Sequence, residues 1–468
     1  MSSVRSTKLL SNLSYNSAFS VLANIFPLLT VPYLTRTLTT SSLGEVFFYL
    51  SLSKTITIFC LLGIPIYGVK IIAQSKNINE REQLISNLIH ITFILFTIVS
   101  IIGGLYYIFF PFEITPFQVI LYAMILSGSF SLEWVVQGME RFKFLATRNF
   151  IIRTITLILI FSFVKNEDDG IIYFSILAAA SLILAIANIK LVFNTNSILL
   201  KKIKIVRKHL KPIFILFGSI VAVSLYTSFD TILLERLSDL DAVARYNVAM
   251  KTSLAATMII TSISAVFLPL ASANYKTNLY NEVIDISIKI SIIFGGLILI
   301  GLFSYSTEII EIIGGDKYVK DYYLLIILSF NPLIIGLSQI FGLQMLTVEG
   351  KESKFLYAVS MGAAISIFLN LLLIPIFSAA GAAIANLLAE LTVLIGCIVL
   401  GRYKLKLLFT REIIFIELKL LLLAVIIQIF RHIMIYLDLN TLILIPLILI
   451  MIYLFFYNKI IKTINKLP

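Results

Sequence analysis

The chain has 468 residues, of which 59% are hydrophobic and only 13% are charged, and its mean hydropathy is +1.01. Soluble domains are about one quarter charged, so this composition excludes an ordinary soluble fold and indicates a chain that lies largely within a membrane. A net charge of +12 could indicate a nucleic-acid binder. The basic residues are spread over short segments between apolar runs, however, and this distribution excludes that class as well.

Apolar runs of about 20 residues recur along the whole chain, which is the length of a membrane-spanning helix. The runs are continuous, whereas the strands of a membrane β-barrel alternate polar and apolar residues. The predicted fold class is therefore an all-α membrane protein with about fourteen transmembrane helices. The predicted spans are residues 13–35, 43–67, 84–110, 115–137, 149–164, 170–193, 212–235, 243–270, 284–305, 321–347, 355–377, 380–401, 412–430 and 438–457.

Lysine and arginine residues are concentrated in every second connection between these spans. The densest basic segment, residues 201–211, falls on the same side as the N-terminus, whereas the opposite side carries acidic runs such as residues 167–169. Basic loops are retained in the cytoplasm. The sequence therefore predicts a multi-pass membrane protein with both termini in the cytoplasm.

The two halves of the chain resemble one another, with an offset of about 200 to 211 residues. Each half contains six predicted spans, so the repeat is parallel and suits two lobes that rock to open a cavity to alternate sides. The matching landmarks are residues 36–38 with 235–237, 138–145 with 350–356, and Gly170 with Gly381. The predicted domains are an N-terminal six-helix lobe at 1–210, a C-terminal six-helix lobe at 211–410, and two additional helices at 411–468.

Two lysines, Lys54 and Lys251, fall inside the second span of each repeat, where an unsolvated charge is costly. They are the candidate cations of a central cavity that would bind an anionic group such as pyrophosphate. The alternative is that each forms a structural ion pair with a buried carboxylate. Arg36, near the outer surface, is a third candidate, and its alternative is to extend its side chain to the interface.

Three acidic residues inside or near spans, Glu133, Asp230 and Glu390, are candidates for ion or proton coupling. The alternative for Glu133 is a pair with Arg148 or Arg153. No nucleophile constellation, phosphate-binding glycine loop or metal-spaced cluster occurs, so no catalytic residue, metal or cofactor is predicted.

Three further features of the spans give local predictions. Lys289 and Lys419 lie nearer the cytoplasmic ends of their spans and are expected to extend their side chains to water. Gly63 with Pro65 is expected to interrupt the second span, and Pro332 the tenth.

Several stretches resemble the polysaccharide-biosynthesis flippases, the O-antigen and capsule oligosaccharide translocases of the multidrug/oligosaccharidyl-lipid/polysaccharide exporter superfamily. Residues 33–36 followed by Leu43 and Gly44 are similar to the start of that family, and residues 370–375 followed by Gly381 are similar to its eleventh and twelfth helices. Residues 132–143 resemble its most distinctive segment, with Glu133 where the family often has aspartate. The resemblance covers nearly the whole chain.

This resemblance implies a two-lobed, V-shaped fold like that of the multidrug and toxic compound extrusion transporters, with a cationic central cavity. It implies a location in the bacterial inner membrane and a substrate oligosaccharide on undecaprenyl pyrophosphate, moved from the cytoplasmic to the periplasmic leaflet. Lys54 and Lys251 would correspond to basic residues in the second and eighth helices of related lipid II flippases, and the last two helices would help to form a groove for the lipid tail. Expected partners are membrane lipids, polysaccharide polymerase and chain-length machinery, with no nucleic acid.

Two other functions stay open on the sequence alone. A drug or cation antiporter of the same superfamily would favour an acidic cavity, which the two lysines oppose. A polytopic polysaccharide polymerase would need a catalytic set on the outer face, and the outer segments hold none.

Overall fold

The computed structural model describes residues 26–436 with gaps at 28, 76, 110–112, 196–208, 404–406 and 409, and it describes 209–227 only in part. The predicted span 438–457 lies outside the described residues, and the spans 13–35 and 212–235 are described only in part. The chain divides into two compact units, Met1–Asn247 and Val248–Pro468. The predicted three-part domain layout stays a prediction.

The described elements of the first unit are helices. After a helical segment at residues 29–37, they are α1 Thr40–Leu61, α2 Ile64–Ala73, α3 Ile78–Phe109, α4 Pro116–Ser129, α5 Glu133–Gly138, α6 Phe142–Phe163, α7 Gly170–Thr195 and α8 Phe229–Leu237, followed by the start of α9 Leu240–Ala273. Helix α1 packs against α3, α4, α7 and α8.

The second unit is also helical over its described part. It contains the rest of α9, then α10 Asn278–Ser304, α11 Ser306–Gly314, a 3-10 turn Asp316–Asp321, α12 Tyr322–Leu328, α13 Asn331–Gln339, a π-helix Ile340–Thr347, α14 Glu352–Phe377, α15 Ala379–Gly401 and α16 Arg411–Tyr436. Helices α14 and α15 form a long hairpin, and α16 packs along α10.

Eleven helical stretches among the described residues are long and apolar enough to cross a membrane. Each of them overlaps one of the predicted spans. The prediction of an all-helical, multi-pass membrane protein is therefore confirmed, while the count of fourteen helices and the layout of the lobes stay predictions.

The second predicted span is interrupted where glycine and proline occur, as the sequence indicated. Helix α1 ends at Leu61, Leu62 adopts a φ of 48°, and α2 starts at Ile64 with Pro65 in its first turn. Proline lacks the amide N–H that a continuing helix needs, but it is tolerated in a first turn, where that N–H has no helical partner. The tenth predicted span is interrupted in the same way, because α13 begins at Asn331 with Pro332 in its first turn.

The short helix α5 packs against α2 in the first unit. The indole of Trp134 lies against Gly68, so closely that a Cβ at residue 68 would collide with the ring. One turn later Gly138 meets Ile72, where an added Cβ would lie 2.9 Å from the Ile72 side chain. Two glycines therefore permit this close helix contact, and Trp134 and Ile72 belong to the buried core beneath it.

Candidate functional site

Lys54 lies on α1, inside a candidate membrane span. Its side chain is exposed, and it forms no hydrogen bond or ion pair with any residue that the structure describes. A neighbouring turn of the same helix packs closely on α4, where a Cβ at Gly128 would lie 3.0 Å from the Thr57 methyl group. The protein thus holds the backbone at Lys54 firmly while leaving its ammonium group without a described counter-ion.

The other two candidate cations have different surroundings. Lys251 is half-buried on the part of α9 that belongs to the second unit. Arg36 is exposed near the end of the helical segment 29–37, and its Nη1 donates a hydrogen bond to the Pro32 carbonyl at 2.7 Å. A basic side chain that satisfies a carbonyl in the last turn of a helix is a common cap, so this bond agrees with the structural alternative for Arg36.

Glu133 belongs to a polar network at the junction of α5, α6 and α7. Arg148 Nη2 lies 3.3 Å from Glu133 Oε2, and Arg148 also donates hydrogen bonds to Asn149 and Asn188. Asn188 in turn donates to the Ser131 carbonyl at 2.7 Å. The structure therefore shows the pair of Glu133 with Arg148 that the sequence left open as its structural alternative.

Asp230 is nearly fully buried, with 1% exposure, in the first turn of α8. The Tyr246 hydroxyl donates to Asp230 Oδ2 at 3.0 Å, and Asn247 donates to Thr231 Oγ1 at 3.2 Å. These two bonds join α8 to the start of α9. Glu133 and Asp230 thus occupy different networks of the first unit.

Glu390 is buried on α15 in the second unit, inside a candidate span. One turn earlier, Asn386 accepts a hydrogen bond from Asn331 Nδ2 at 2.9 Å. On α14, Asn370 donates to Ser366 Oγ at 3.2 Å. The sequence alone did not predict these polar contacts, although amide side chains within otherwise apolar spans could have indicated them.

The expectation for Lys289 was wrong. Its side chain is 10% exposed and lies between two carboxylates, Asp285 Oδ2 at 2.5 Å and Glu412 Oε2 at 2.7 Å. Glu412 is on α16, which approaches α10 closely enough that a Cβ at Gly296 would lie 2.6 Å from Leu420. A counter-ion on a neighbouring helix therefore replaces the water that the side chain was expected to reach. Lys419 on α16 lies over the Phe415 ring, 5.2 Å from its centre.

The candidate residues can also be compared with respect to metal binding and to their partners. Among the described residues, no group of three His, Cys, Asp or Glu side chains comes close enough to hold a metal ion. Glu133 and Asp230 lie in separate networks, and Lys54 differs from both in having no hydrogen-bond or ion-pair partner in the described part of the chain.

The chain is similar to known proteins over most of its length. Residues 9–275 match the family described as polysaccharide biosynthesis protein. The chain is 25% identical over 373 residues to a protein named putative O-antigen transporter from Escherichia coli (strain K12), covering 78% of this chain and 90% of that one. A protein of the same name from Shigella dysenteriae is 24% identical over 386 residues, covering 79% of this chain and 94% of that one.

Two solved structures with a similar fold are a flippase and a multidrug transporter by name. A lipid II flippase, MurJ, in an inward closed conformation aligns with a TM-score of 0.74 at 16% identity, covering 97% of this chain and all of that one. An inward-facing multidrug resistance MATE family transporter of the MOP superfamily aligns with a TM-score of 0.63 at 14% identity, covering 81% and 94%. The family match extends over more than half of the sequence, and the chain therefore belongs to the polysaccharide biosynthesis protein family.

Proposed function

We propose that this protein is a flippase that carries an oligosaccharide repeat unit on undecaprenyl pyrophosphate, of the O-antigen or capsule type, from the cytoplasmic to the periplasmic leaflet of the bacterial inner membrane. Membership of the polysaccharide biosynthesis family supports the pathway. The names of the two O-antigen transporters support the cargo. The structural similarity to MurJ supports a fold that a lipid flippase also has.

The observation that carries the proposal is the environment of the Lys54 side chain, which is exposed within a candidate membrane span. A lysine at the centre of a membrane helix costs about 2.5–3.5 kcal/mol or more unless it is solvated or paired. Lys54 has an exposed side chain and no partner among the described residues. We therefore place its ammonium group in a water-filled cavity, where it binds the pyrophosphate as a point charge. Lys251 and Arg36 are proposed as further cations of that cavity.

The proposed mechanism is alternating access by two six-helix lobes, residues 1–210 and 211–410, with two additional helices at 411–468 and both termini in the cytoplasm. Glu133, Asp230 and Glu390 stay the proposed coupling residues. Arg148 already compensates the charge of Glu133, which weakens the case for Glu133 as a coupling residue. Delivery to the periplasmic leaflet implies polysaccharide polymerase and chain-length machinery as partners that consume the product.

Gene deletion with complementation tests the proposal. The deletion strain should lose its surface polysaccharide and retain lipid-linked repeat units in the inner leaflet, where a membrane-impermeant oxidant applied to spheroplasts does not reach the sugars. Complementation with the wild-type chain should restore both. Normal surface polysaccharide in the deletion strain would refute the proposal.

A multidrug or cation antiporter is the second candidate, and the likeness to the MATE family transporter is the observation that favours it. Such a protein attracts cations, so a lysine inside a span with no counter-ion among the described residues opposes this function. Altered drug sensitivity together with unchanged surface polysaccharide would favour the antiporter.

A further inference from the structure

A tight turn follows α5 at the end of a candidate span. Glu140 adopts a left-handed φ of 56° and donates its N–H to the Gln137 carbonyl at 2.9 Å. The N–H of Arg141 reaches back to the Val136 carbonyl at 3.2 Å. This pair of bonds is the Schellman motif, which satisfies carbonyls at the end of a helix. Helix α6 begins at the next residue, Phe142.

The second unit contains the same turn after its π-helix. Gly350 has a φ of 71° and donates to the Thr347 carbonyl at 3.1 Å, and Lys351 donates to the Leu346 carbonyl at 2.8 Å. Helix α14 then begins at Glu352. The two backbones correspond residue by residue, so that Glu140 takes the place of Gly350, Arg141 that of Lys351, and Met139 that of Glu349.

The two turns differ in how the cation is compensated. Lys351 Nζ lies 2.5 Å from Glu349 Oε2, so the turn in the second unit neutralises its own charge. The corresponding position in the first unit is the uncharged Met139. Neither Arg141 nor Lys143 forms a side-chain hydrogen bond or an ion pair with any residue that the structure describes. The first unit therefore presents two uncompensated cations where the second unit presents an ion pair.

These cations line an open cleft of about 410 Å³. Its volume lies within the range of roughly 300–1,000 Å³ that is usual for small-ligand sites. With one carboxylate among its side chains, the lining carries one net positive charge. The cleft is formed by the turn after one candidate span, Pro116–Gly138, and the first turns of the next, Phe142–Phe163, which places it at the membrane surface. Its lining residues are Glu140, Arg141, Lys143, Phe144 and Thr147.

We propose that this cleft binds the phosphate or pyrophosphate group of a membrane lipid, with Arg141 and Lys143 as its cations. A guanidinium donates two parallel hydrogen bonds to phosphate oxygens, and a lysine adds a mobile point charge. An anionic phospholipid and the pyrophosphate-linked substrate present the same chemistry to the cleft. The site consequently does not depend on the proposed transport function, because phospholipid alone would fill it.

Binding of inorganic pyrophosphate to the full chain in phosphatidylcholine nanodiscs tests the site. In isothermal titration, the double variant R141Q/K143Q should bind at least about tenfold more weakly than wild type, since it removes both charges. Met139→Glu, which introduces the carboxylate found at Glu349, should weaken binding to a similar extent. Glu140→Gln removes the opposing carboxylate and should tighten binding about two- to fivefold.

Lys351→Gln is the matched control, because it removes a cation from the same backbone position of the other unit, and it should leave binding unchanged. Melting temperatures of all variants report whether each one is folded. The proposal is overturned if the folded double variant binds pyrophosphate as wild type does, if the folded Met139→Glu does so, or if wild type shows no binding.

A second measurement distinguishes the two sources of the anion. Native mass spectrometry would count lipids retained by wild type and by R141Q/K143Q after reconstitution with phosphatidylglycerol or with undecaprenyl pyrophosphate. If the double variant retains less phosphatidylglycerol than wild type, the cleft is a phospholipid site. If it retains less undecaprenyl pyrophosphate, the cleft is a site for the substrate headgroup. If the double variant retains both lipids as wild type does, the proposed site is overturned. The phenotype of the gene deletion tests the transport function separately.

Discussion

Two lysines within candidate membrane spans have opposite surroundings. Lys54 on α1 is exposed and has no partner in the described part of the chain. Lys289 on α10 is buried between Asp285 and Glu412. The difference shows that an intramembrane charge is not by itself a functional signal. A compensated lysine joins two helices, whereas an uncompensated one needs water or an anionic ligand.

The largest expected effect is on transport, at Lys54. Lys54→Ala should lose most transport while its membrane abundance stays normal, because no described carboxylate depends on this ammonium group for compensation. Lys54→Arg keeps the charge and should retain much of the transport. Surface polysaccharide and membrane abundance, measured together in a complemented deletion strain, check both expectations.

The contrary result at Lys54 is equally clear. Full transport by Lys54→Ala would remove the substrate-binding role. Reduced abundance, restored by neutralising Asp230 or Glu390, would instead identify a structural ion pair and bring Lys54 into the class of Lys289.

The next effect is on stability, at Lys289. Lys289→Ala leaves two carboxylates close together without their cation, and it should lower the free energy of unfolding by about 1–3 kcal/mol, a range discounted for the partial exposure of both carboxylates. Thermal unfolding and membrane abundance measure this change. The triple variant K289A/D285N/E412Q should recover much of the loss. If Lys289→Ala were as stable as wild type, the comparison between the two lysines would fail.

A smaller effect is expected at the other end of α16. Arg431 donates from Nε and Nη2 to Glu308 on α11, with a shortest distance of 3.1 Å, and Gln428 donates to Ser304 at 3.1 Å. Arg431→Lys keeps the charge but loses the two-pronged geometry, which should cost about 1 kcal/mol of stability. Thermal unfolding of Arg431→Lys checks this expectation, with Lys419→Arg, a charge-preserving change on the same helix, as the control. An unchanged melting temperature for Arg431→Lys would show that charge alone holds α16 at this end.

The smallest effect concerns a charge outside the candidate spans. The N–H groups of Asn166 and Lys165 donate to Asp169 Oδ2 at 2.7 and 2.8 Å, and they hold the pKa of this carboxyl below its ordinary value. A lowered folded pKa gives stability that is present above the unfolded pKa and is lost as the pH falls through the folded one. Asp169→Asn should therefore melt earlier than wild type at about pH 7, and the difference should shrink below about pH 4. A difference that is independent of pH would contradict the hydrogen-bonded carboxylate.

The sequence predicted the path of the chain well wherever apolar length decides it. The span predicted at 380–401 is α15, Ala379–Gly401, and the break at Gly63 and Pro65 lies where it was expected. The sequence did not predict the split between α4 and α5. Leu132 adopts a φ of 48° there, and leucine is a residue type that rarely takes a positive φ. Two residues later, Trp134 packs on Gly68, a long-range contact that the sequence alone does not show.

Composition and hydropathy by themselves determined that this protein is a bundle of membrane helices, because the cost of placing backbone and charge in hydrocarbon is read directly from residue type. Only the tertiary structure decided which charges are compensated. Lys54 and Lys289 both lie inside predicted spans, yet Lys289 contacts a carboxylate on α16 more than a hundred residues away, while the side chain of Lys54 contacts no counter-ion in the described part of the chain. Side-chain pairing across helices depends on how the helices pack, and hydropathy does not predict that packing.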